Sequence, residues 1–321
     1  MAIESDGGLL ADYSPMMRQY LEIKEAHKDA LLFFRLGDFY ELFFDDARIA
    51  AEKLGLHLTA RETGRGKCPM CGVPHHAAEG YILRLVEAGH KVALCEQMPG
   101  AKGKKGEVME RKVVRIYTRG TIFDDSKSLS SYIAAIFSQD DATFGLAYAD
   151  VATGDFYATC LASADKLIDE LHKINPQEII VSPDFSRSGH IKAEIGTMPD
   201  NYHSRAFSYD FAEKKLTEHF GTDCIREFSL ADKHSMAAAG ALLQYLHATQ
   251  QNALPHIGKI SAYATAEFMI LDRHAFRNLE LVETLREKDT VGTLFWVMDQ
   301  TKTPMGKRLL RKWMENPLVS A

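Results

Sequence analysis

No stretch of this sequence comes near the ~18 uninterrupted apolar residues that a membrane-crossing helix needs, so no membrane partner is expected. Cysteine is scarce and odd in number, five in 321 residues, which fits reduced thiols rather than a disulfide framework. The first residues, Met-Ala-Ile-Glu-Ser-Asp-Gly-Gly, lack the basic-then-apolar order of a secretory signal. The cytosol is therefore the default compartment. Missing too are Gly-x-x-x-x-Gly-Lys-Ser/Thr, Gly-x-Ser-x-Gly and His-Glu-x-x-His, the signatures of a nucleotide phosphate loop, a serine hydrolase and a zinc protease. There is no internal repeat or low-complexity segment.

What is present describes a soluble globular chain, 46% hydrophobic and 26% charged. At 321 residues it is too long for one ordinary core, so two domains or a little more are expected. The net charge of −6 argues against a nucleic-acid partner only if charge is evenly spread. It is not. From Ala101 to Arg119 seven basic residues (Lys102, Lys104, Lys105, Arg111, Lys112, Arg115, Arg119) face only Glu107 and Glu110, a local excess of +5.

The stretch of most interest runs from Leu31 to Phe44, Leu-Leu-Phe-Phe-Arg-Leu-Gly-Asp-Phe-Tyr-Glu-Leu-Phe-Phe. Two apolar runs separated by Gly37-Asp38 predict a β-hairpin. Burial accounts for the leucines and phenylalanines but not for Glu41. A turn presents side chains outward, so this hairpin is the first candidate for a working site.

Around it, Ser14-Pro15 supplies a cap and first-turn proline for a helix ending near Lys28. Asp45-Asp46 opens a second helix to Leu54, with acids at the positive end of its dipole. A short strand over Leu56–Ala60, a polar loop over Arg61–Lys67, a helix over Ala77–Ala88, and strands over Lys91–Gln97 and Arg111–Thr118 complete a small α/β domain to about residue 125. A second unit reads as a meander of Tyr132–Phe137, Phe144–Asp150 and Phe156–Thr159. A helix over Lys166–Ile174 and a strand over Glu178–Val181 follow, an order that suggests a ribonuclease H-like layer. An alanine-rich helix over Ser235–Gln251 closes it. Beyond His256, Phe268–Leu271 reads as a strand. A helix opened by Thr303-Pro304 carries an apolar stripe of Met305, Leu309, Leu310, Trp313 and Met314. Nothing downstream covers that stripe, which suggests a domain cut short.

Several segments together resemble the N-terminal part of the MutS mismatch-repair family. They are Ser14-Pro15-Met16-Met17-Arg18-Gln19-Tyr20-Leu21, Arg35-Leu36-Gly37-Asp38-Phe39-Tyr40-Glu41-Leu42-Phe43, Pro69-Met70-Cys71-Gly72-Val73-Pro74 and Glu110-Arg111-Lys112-Val113-Val114-Arg115, with Leu254-Pro255-His256-Ile257 and Thr303-Pro304-Met305-Gly306 further on. The resemblance implies a mixed-sheet mismatch-recognition domain over residues 1–125, a ribonuclease H-like connector over 126–255, and the start of an all-helical core domain over 256–321. It also implies double-stranded DNA with mismatches or small loops as the ligand, a homodimer, a MutL-type repair partner and a nucleoid-associated, cytoplasmic setting. The family's clamp and its ATPase domain, with ATP and magnesium, would lie beyond Ala321. This chain is expected to bind no cofactor and to be no enzyme. Thr118-Arg119-Gly120-Thr121 departs from the family pattern, which more often has proline before the glycine.

By the same resemblance Phe39 stacks on the mispaired base and Glu41 hydrogen-bonds to it. The physics agrees. A phenyl wedge costs a few kcal/mol of unstacking, and a mismatch, already poorly stacked and easily bent, lowers that cost. A carboxylate beside a polyanion is repelled unless an unpaired base edge, or a proton, compensates. Glu41 is therefore expected to penalise every duplex and to recover the penalty only at a mismatch. Arg111, Lys112 and Arg115, with Lys102, Lys104 and Lys105, are candidates for phosphate contacts. Cys68-x-x-Cys71 with His75-His76 offers zinc-type ligands, but adjacent histidines seldom serve one metal and the matching family segment holds none. No metal is expected. Asp150 and Glu170 fall short of the carboxylate cluster of a two-metal nuclease and read as solvated. The alternative is a folded interaction module that does not hold DNA on its own.

Overall fold

A computed structural model describes residues 12–98, 109–122, 131–222, 232–251, 254–265, 268–269, 271, 273–287 and 289–319. The chain forms two compact units, one over Met1–Ile122 with Ala248–Ala253 and one over Phe123–His247 with Leu254–Ala321. No helix among the described residues is long and apolar enough to cross a membrane.

In the first unit, helix α1 (Pro15–Ala26) is capped by Ser14, whose hydroxyl accepts the Met17 N–H. Strands β1 (Ala30–Leu36) and β2 (Phe39–Phe43) form the expected hairpin, and α2 (Phe44–Leu54) follows β2 without a linker. Strands β3 (Thr59–Glu62) and β4 (Lys67–Pro74), helix α3 (Ala78–Glu87), β5 (Lys91–Gln97) and β6 (Arg111–Tyr117) complete it. The sheet order is β3-β4-β2-β1-β5-β6. Because strand residues alternate between faces, Leu32, Phe34, Phe43, Ala93 and Cys95 pack against Met17, Tyr20 and Leu21 of α1. Leu31, Phe33, Tyr40, Leu42 and Val92 pack against α2 and α3 on the other side. The hairpin is the middle of a three-layer sandwich.

Strand β4 is a correction. Its segment reads as loop and motif because it holds Pro69, Gly72 and Pro74, yet it pairs along its length with β2 and β3. The prolines are tolerated because Pro74 ends the strand and Pro69 lies one residue past the last β2 partner. The short strand expected at Leu56–Ala60 lies three residues later, at β3.

The second unit holds a meander of β7 (Tyr132–Phe137), β8 (Phe144–Asp150) and β9 (Asp155–Leu161), then α4 (Ala164–Ile174) and β10 (Glu178–Val181). Helix α5 (Ser188–Ile195), β11 (Asp200–Asn201), α6 (Tyr209–Phe220), α7 (Lys233–Gln250) and β12 (Ser261–Ala262) follow. The order is β11-β10-β7-β8-β9-β12, with β10 parallel to β7 and β11 parallel to β10. A meander extended by parallel strands is the ribonuclease H-like arrangement. Every residue of β8 is buried, because α6 and α7 cover one face and α4 and α5 the other. Asp232 caps α7, its carboxylate accepting the His234 N–H at 2.9 Å. Past this, α8 (Arg273–Asn278), α9 (Leu294–Met298) and α10 (Pro304–Glu315) begin the helical part. Phe268 makes an isolated antiparallel bridge to Leu318, and Ile270 of the strand expected at Phe268–Leu271 lies outside the described residues.

Gly145 lets α7 start against β8. A Cβ there would meet the His234 carbonyl oxygen at 2.0 Å and its carbon at 2.1 Å, both backbone atoms that cannot swing aside. Gly145→Ala is expected to destabilise the protein by about 1–3 kcal/mol, the usual cost of overpacking. A urea transition followed by far-UV circular dichroism measures it, and an unchanged midpoint would contradict the close approach.

Candidate nucleic-acid interface

The hairpin turn is short and fixed. Leu36 pairs with Phe39, leaving only Gly37 and Asp38 between the strands. Gly37 takes φ +59°, the positive value that a type II′ turn needs at its first central position. Both carbonyls of the turn are held from the side. Arg35 Nε donates to the Gly37 oxygen at 2.6 Å, and the His75 N–H donates to the Asp38 oxygen at 2.9 Å. His75 Nδ1 lies 3.1 Å from that same oxygen, a donor contact when Nδ1 carries the proton.

Phe39 follows the turn and is 48% exposed, whereas Phe33, Phe34 and Phe43 are fully buried. It is the sole exposed aromatic among the described residues of the first unit. Glu41, two residues on, shares its face of β2. Its side chain is 16% exposed and ion-paired through Oε2 to Arg61 Nη1 of β3. Tyr40 points the other way. Its hydroxyl donates to Glu96, Arg35 lies 5.2 Å over its ring, and burial, then Glu96, pushes its pKa up to about 12. The exposed Phe39 ring and the paired acid thus share one face of a strand anchored from the other.

The basic residues separate. Arg111 is 7% exposed. Its Nε donates to the Arg35 oxygen at 2.7 Å, and Nη1 donates to Gln19 at 3.0 Å and to the Met109 oxygen at 2.9 Å. The guanidinium lies 5.0 Å over the Phe34 ring, and burial lowers its pKa. It sits as a strut against β1 just before the turn, on the face that α1 covers. A bulge at Leu94/Cys95 shifts the register, so Lys112 and Arg115, three residues apart, both share the opposite face. Lys112 is exposed and pairs with Glu110 at 2.9 Å. Arg115 donates to the Thr121 oxygen at 3.1 Å and stacks 4.5 Å over Tyr117. Lys102, Lys104 and Lys105 lie outside the described residues.

Cys68 and Cys71, three apart on β4, face opposite sides of the sheet and lie in different cores. Cys71 Sγ contacts the Ala47 oxygen at 3.4 Å, and burial raises its pKa to about 11. His75 is occupied with the turn. Among the described residues no group of three or more His, Cys, Asp or Glu could hold a metal ion. Asp150 and Glu170, read as solvated acids, are in fact buried. Asp150 accepts the Ala152 N–H at 2.8 Å, and Glu170 accepts from Tyr263 at 2.7 Å and pairs with Lys173 at 3.2 Å. Glu170 has partners on both oxygens, whereas Asp150 Oδ2 is buried without a hydrogen-bond partner. Sequence reasoning passed over Arg61, which it placed in a loop. Only the register of β3 on β4 brings it across to Glu41.

Family models match three consecutive segments: MutS domain I over residues 14–126, MutS domain II over 131–258 and MutS domain III over 274–321. The DNA mismatch repair protein MutS of Ruminiclostridium cellulolyticum is 44% identical over 96% of this chain and 36% of its own length. Those of Lachnoclostridium phytofermentans and Acetivibrio thermocellus are 41% and 42% identical over 97% of this chain, and 34% and 37% of theirs. The chain thus spans about a third of the length of the curated relatives it matches. With three MutS domains matched in order and the fold they describe in place, this chain belongs to the MutS family.

Proposed function

We propose that this chain is the recognition end of a mismatch-repair sensor, which inserts Phe39 beside a mispaired or unpaired base in kinked duplex DNA and tests the base edge with Glu41. The observation that carries the reading is the exposed Phe39 ring at the end of a braced two-residue turn, in a unit whose other phenylalanine hairpin residues are buried. Lys112, exposed on β6, supplies a sequence-independent phosphate contact with Arg115 from the sheet face opposite Phe39 and Glu41, while Arg111 braces β1 just before the turn. The division at about residues 125 and 255 into recognition, connector and core segments belongs to the same reading. So do a homodimer, a MutL-type partner, a cytoplasmic setting and an ATPase elsewhere in the whole protein.

Competition binding of the whole protein to a G·T duplex, a single-base bulge and a matched duplex tests it. The proposal expects the matched duplex to bind more weakly than either, and equal affinity for all three overturns it. Glu41→Gln is expected to raise matched-duplex affinity by about tenfold, since it removes a like charge from the path of the phosphates. Unchanged matched-duplex binding would remove Glu41 from the role of discriminator.

A further inference from the structure

Glu41 does not meet the DNA as a bare acid. Its Oε2 is bound by Arg61 Nη1, while Oε1 has no hydrogen-bond partner among the described residues. The two strands that carry the pair are separated by β4, and the residue of β4 opposite Glu41 is Gly72. A Cβ at Gly72 would lie 3.5 Å from Glu41 Cγ and 3.4 Å from the Tyr40 oxygen. The acid therefore lies flat across β4 towards Arg61. Arg61 sits on the edge strand with its side chain 36% exposed, so the pair is at the surface and its geometry is held by register.

We infer that Arg61 is the specificity-setting partner of Glu41: it fixes one carboxylate oxygen, leaves the other to accept a hydrogen bond from a base, and offsets part of the charge that repels phosphates. This deepens the proposed reading and rests on it. An arginine suits the position because its planar fork fixes the direction of the carboxylate as well as its charge. Without it, Glu41 is free to rotate and its whole charge faces the duplex. The penalty then rises at matched and mismatched sites alike, and the hydrogen bond that recovers it is no longer aimed. A plain phosphate contact by Arg61 predicts something different, a loss of affinity that does not depend on what stands at position 41.

A double-mutant cycle separates the two. In the whole protein, Arg61→Gln is expected to weaken G·T-duplex binding by about tenfold and to narrow the ratio of mismatched to matched affinity. In a Glu41→Gln background the same change is expected to cost less than about twofold and to leave the salt dependence of binding unaltered. Arg61→Lys, which keeps the charge without the fork, is expected to restore affinity more than discrimination. Equal losses in both backgrounds, with the salt slope falling by about one, would overturn the inference in favour of a phosphate contact. Should Arg61→Gln fail to fold, Arg61→Lys in both backgrounds gives the same cycle, with a loss of discrimination confined to the Glu41 background as the supporting result. A wild-type protein that binds G·T and matched duplex equally defeats the recognition reading itself. Wild-type discrimination with no coupling defeats only the role of Arg61.

Discussion

Phe39→Ala is expected to lower affinity for a G·T duplex by one to two orders of magnitude while changing matched-duplex affinity less than about threefold. Base–aromatic stacking measured by alanine substitution is worth about 1–3 kcal/mol per base. On the proposed reading the ring makes that contact only where the duplex opens, so the loss falls on the mismatch. The substitution is clean structurally. Phe39 is half exposed and belongs to neither core of its unit, whereas truncating Phe33, Phe34 or Phe43 would empty a buried site. The turn is held through backbone oxygens by Arg35 and His75, not through the ring. Fluorescence anisotropy on both duplexes measures the ratio. An equal fall on both would mean that Phe39 is a general contact and not the source of discrimination.

The hairpin was legible because its chemistry is local. Two apolar runs around Gly37-Asp38 force a tight turn, and the period of two puts Phe39 and Glu41 on one face whatever lies beyond. Strand β4 was hidden because Pro69, Gly72 and Pro74 are read as breakers, and only the lengths of its neighbours show that none breaks a needed ladder bond. Helix α6 was passed over despite a visible signal, since Tyr209, Ala212, Leu216 and Phe220 recur at helical spacing and pack on the core of the second unit. Arg61 and Arg111 illustrate the other limit. A guanidinium in a sequence carries no sign of whether it faces phosphate, carboxylate or a backbone oxygen. That is decided by register between strands far apart in sequence.

Asp46 is the clearest case, and it yields the second large effect. In the sequence it is an acid at a helix N-terminus. In the structure its side chain is 7% exposed and ties three elements together. Oδ2 accepts the Leu32 N–H at 2.9 Å and the Tyr20 hydroxyl at 3.4 Å, and Oδ1 pairs with Lys24 at 2.9 Å. The β1–β2 pairing runs only from Leu36↔Phe39 to Phe34↔Glu41, and Asp46 takes up the Leu32 amide beyond its end. Asp46→Ala would strand that amide inside the sandwich, while the Tyr20 hydroxyl keeps the Phe43 carbonyl oxygen, 3.4 Å away, as its acceptor. Breaking a fully buried pair costs about 3–5 kcal/mol, and Lys24, 23% exposed, can still reach water, so about 2–4 kcal/mol is expected. Burial raises the Asp46 pKa above 3.8, with Lys24 opposing. Between the ordinary and the raised value the folded state therefore holds a proton that the unfolded chain has released. The contribution of this group to stability falls as pH climbs from the ordinary carboxylate value through the raised one, and Asp46→Ala removes that slope. Denaturation by far-UV circular dichroism across pH tests the stability, and hydrogen exchange at Leu32 tests the cause. A protected Leu32 amide in the variant would mean that the strand finds another partner. A mobile one would mean that β1 has loosened at the end away from the turn, and on the proposed reading mismatch discrimination should decline with Leu32 protection although Asp46 makes no contact with the exposed Phe39 ring.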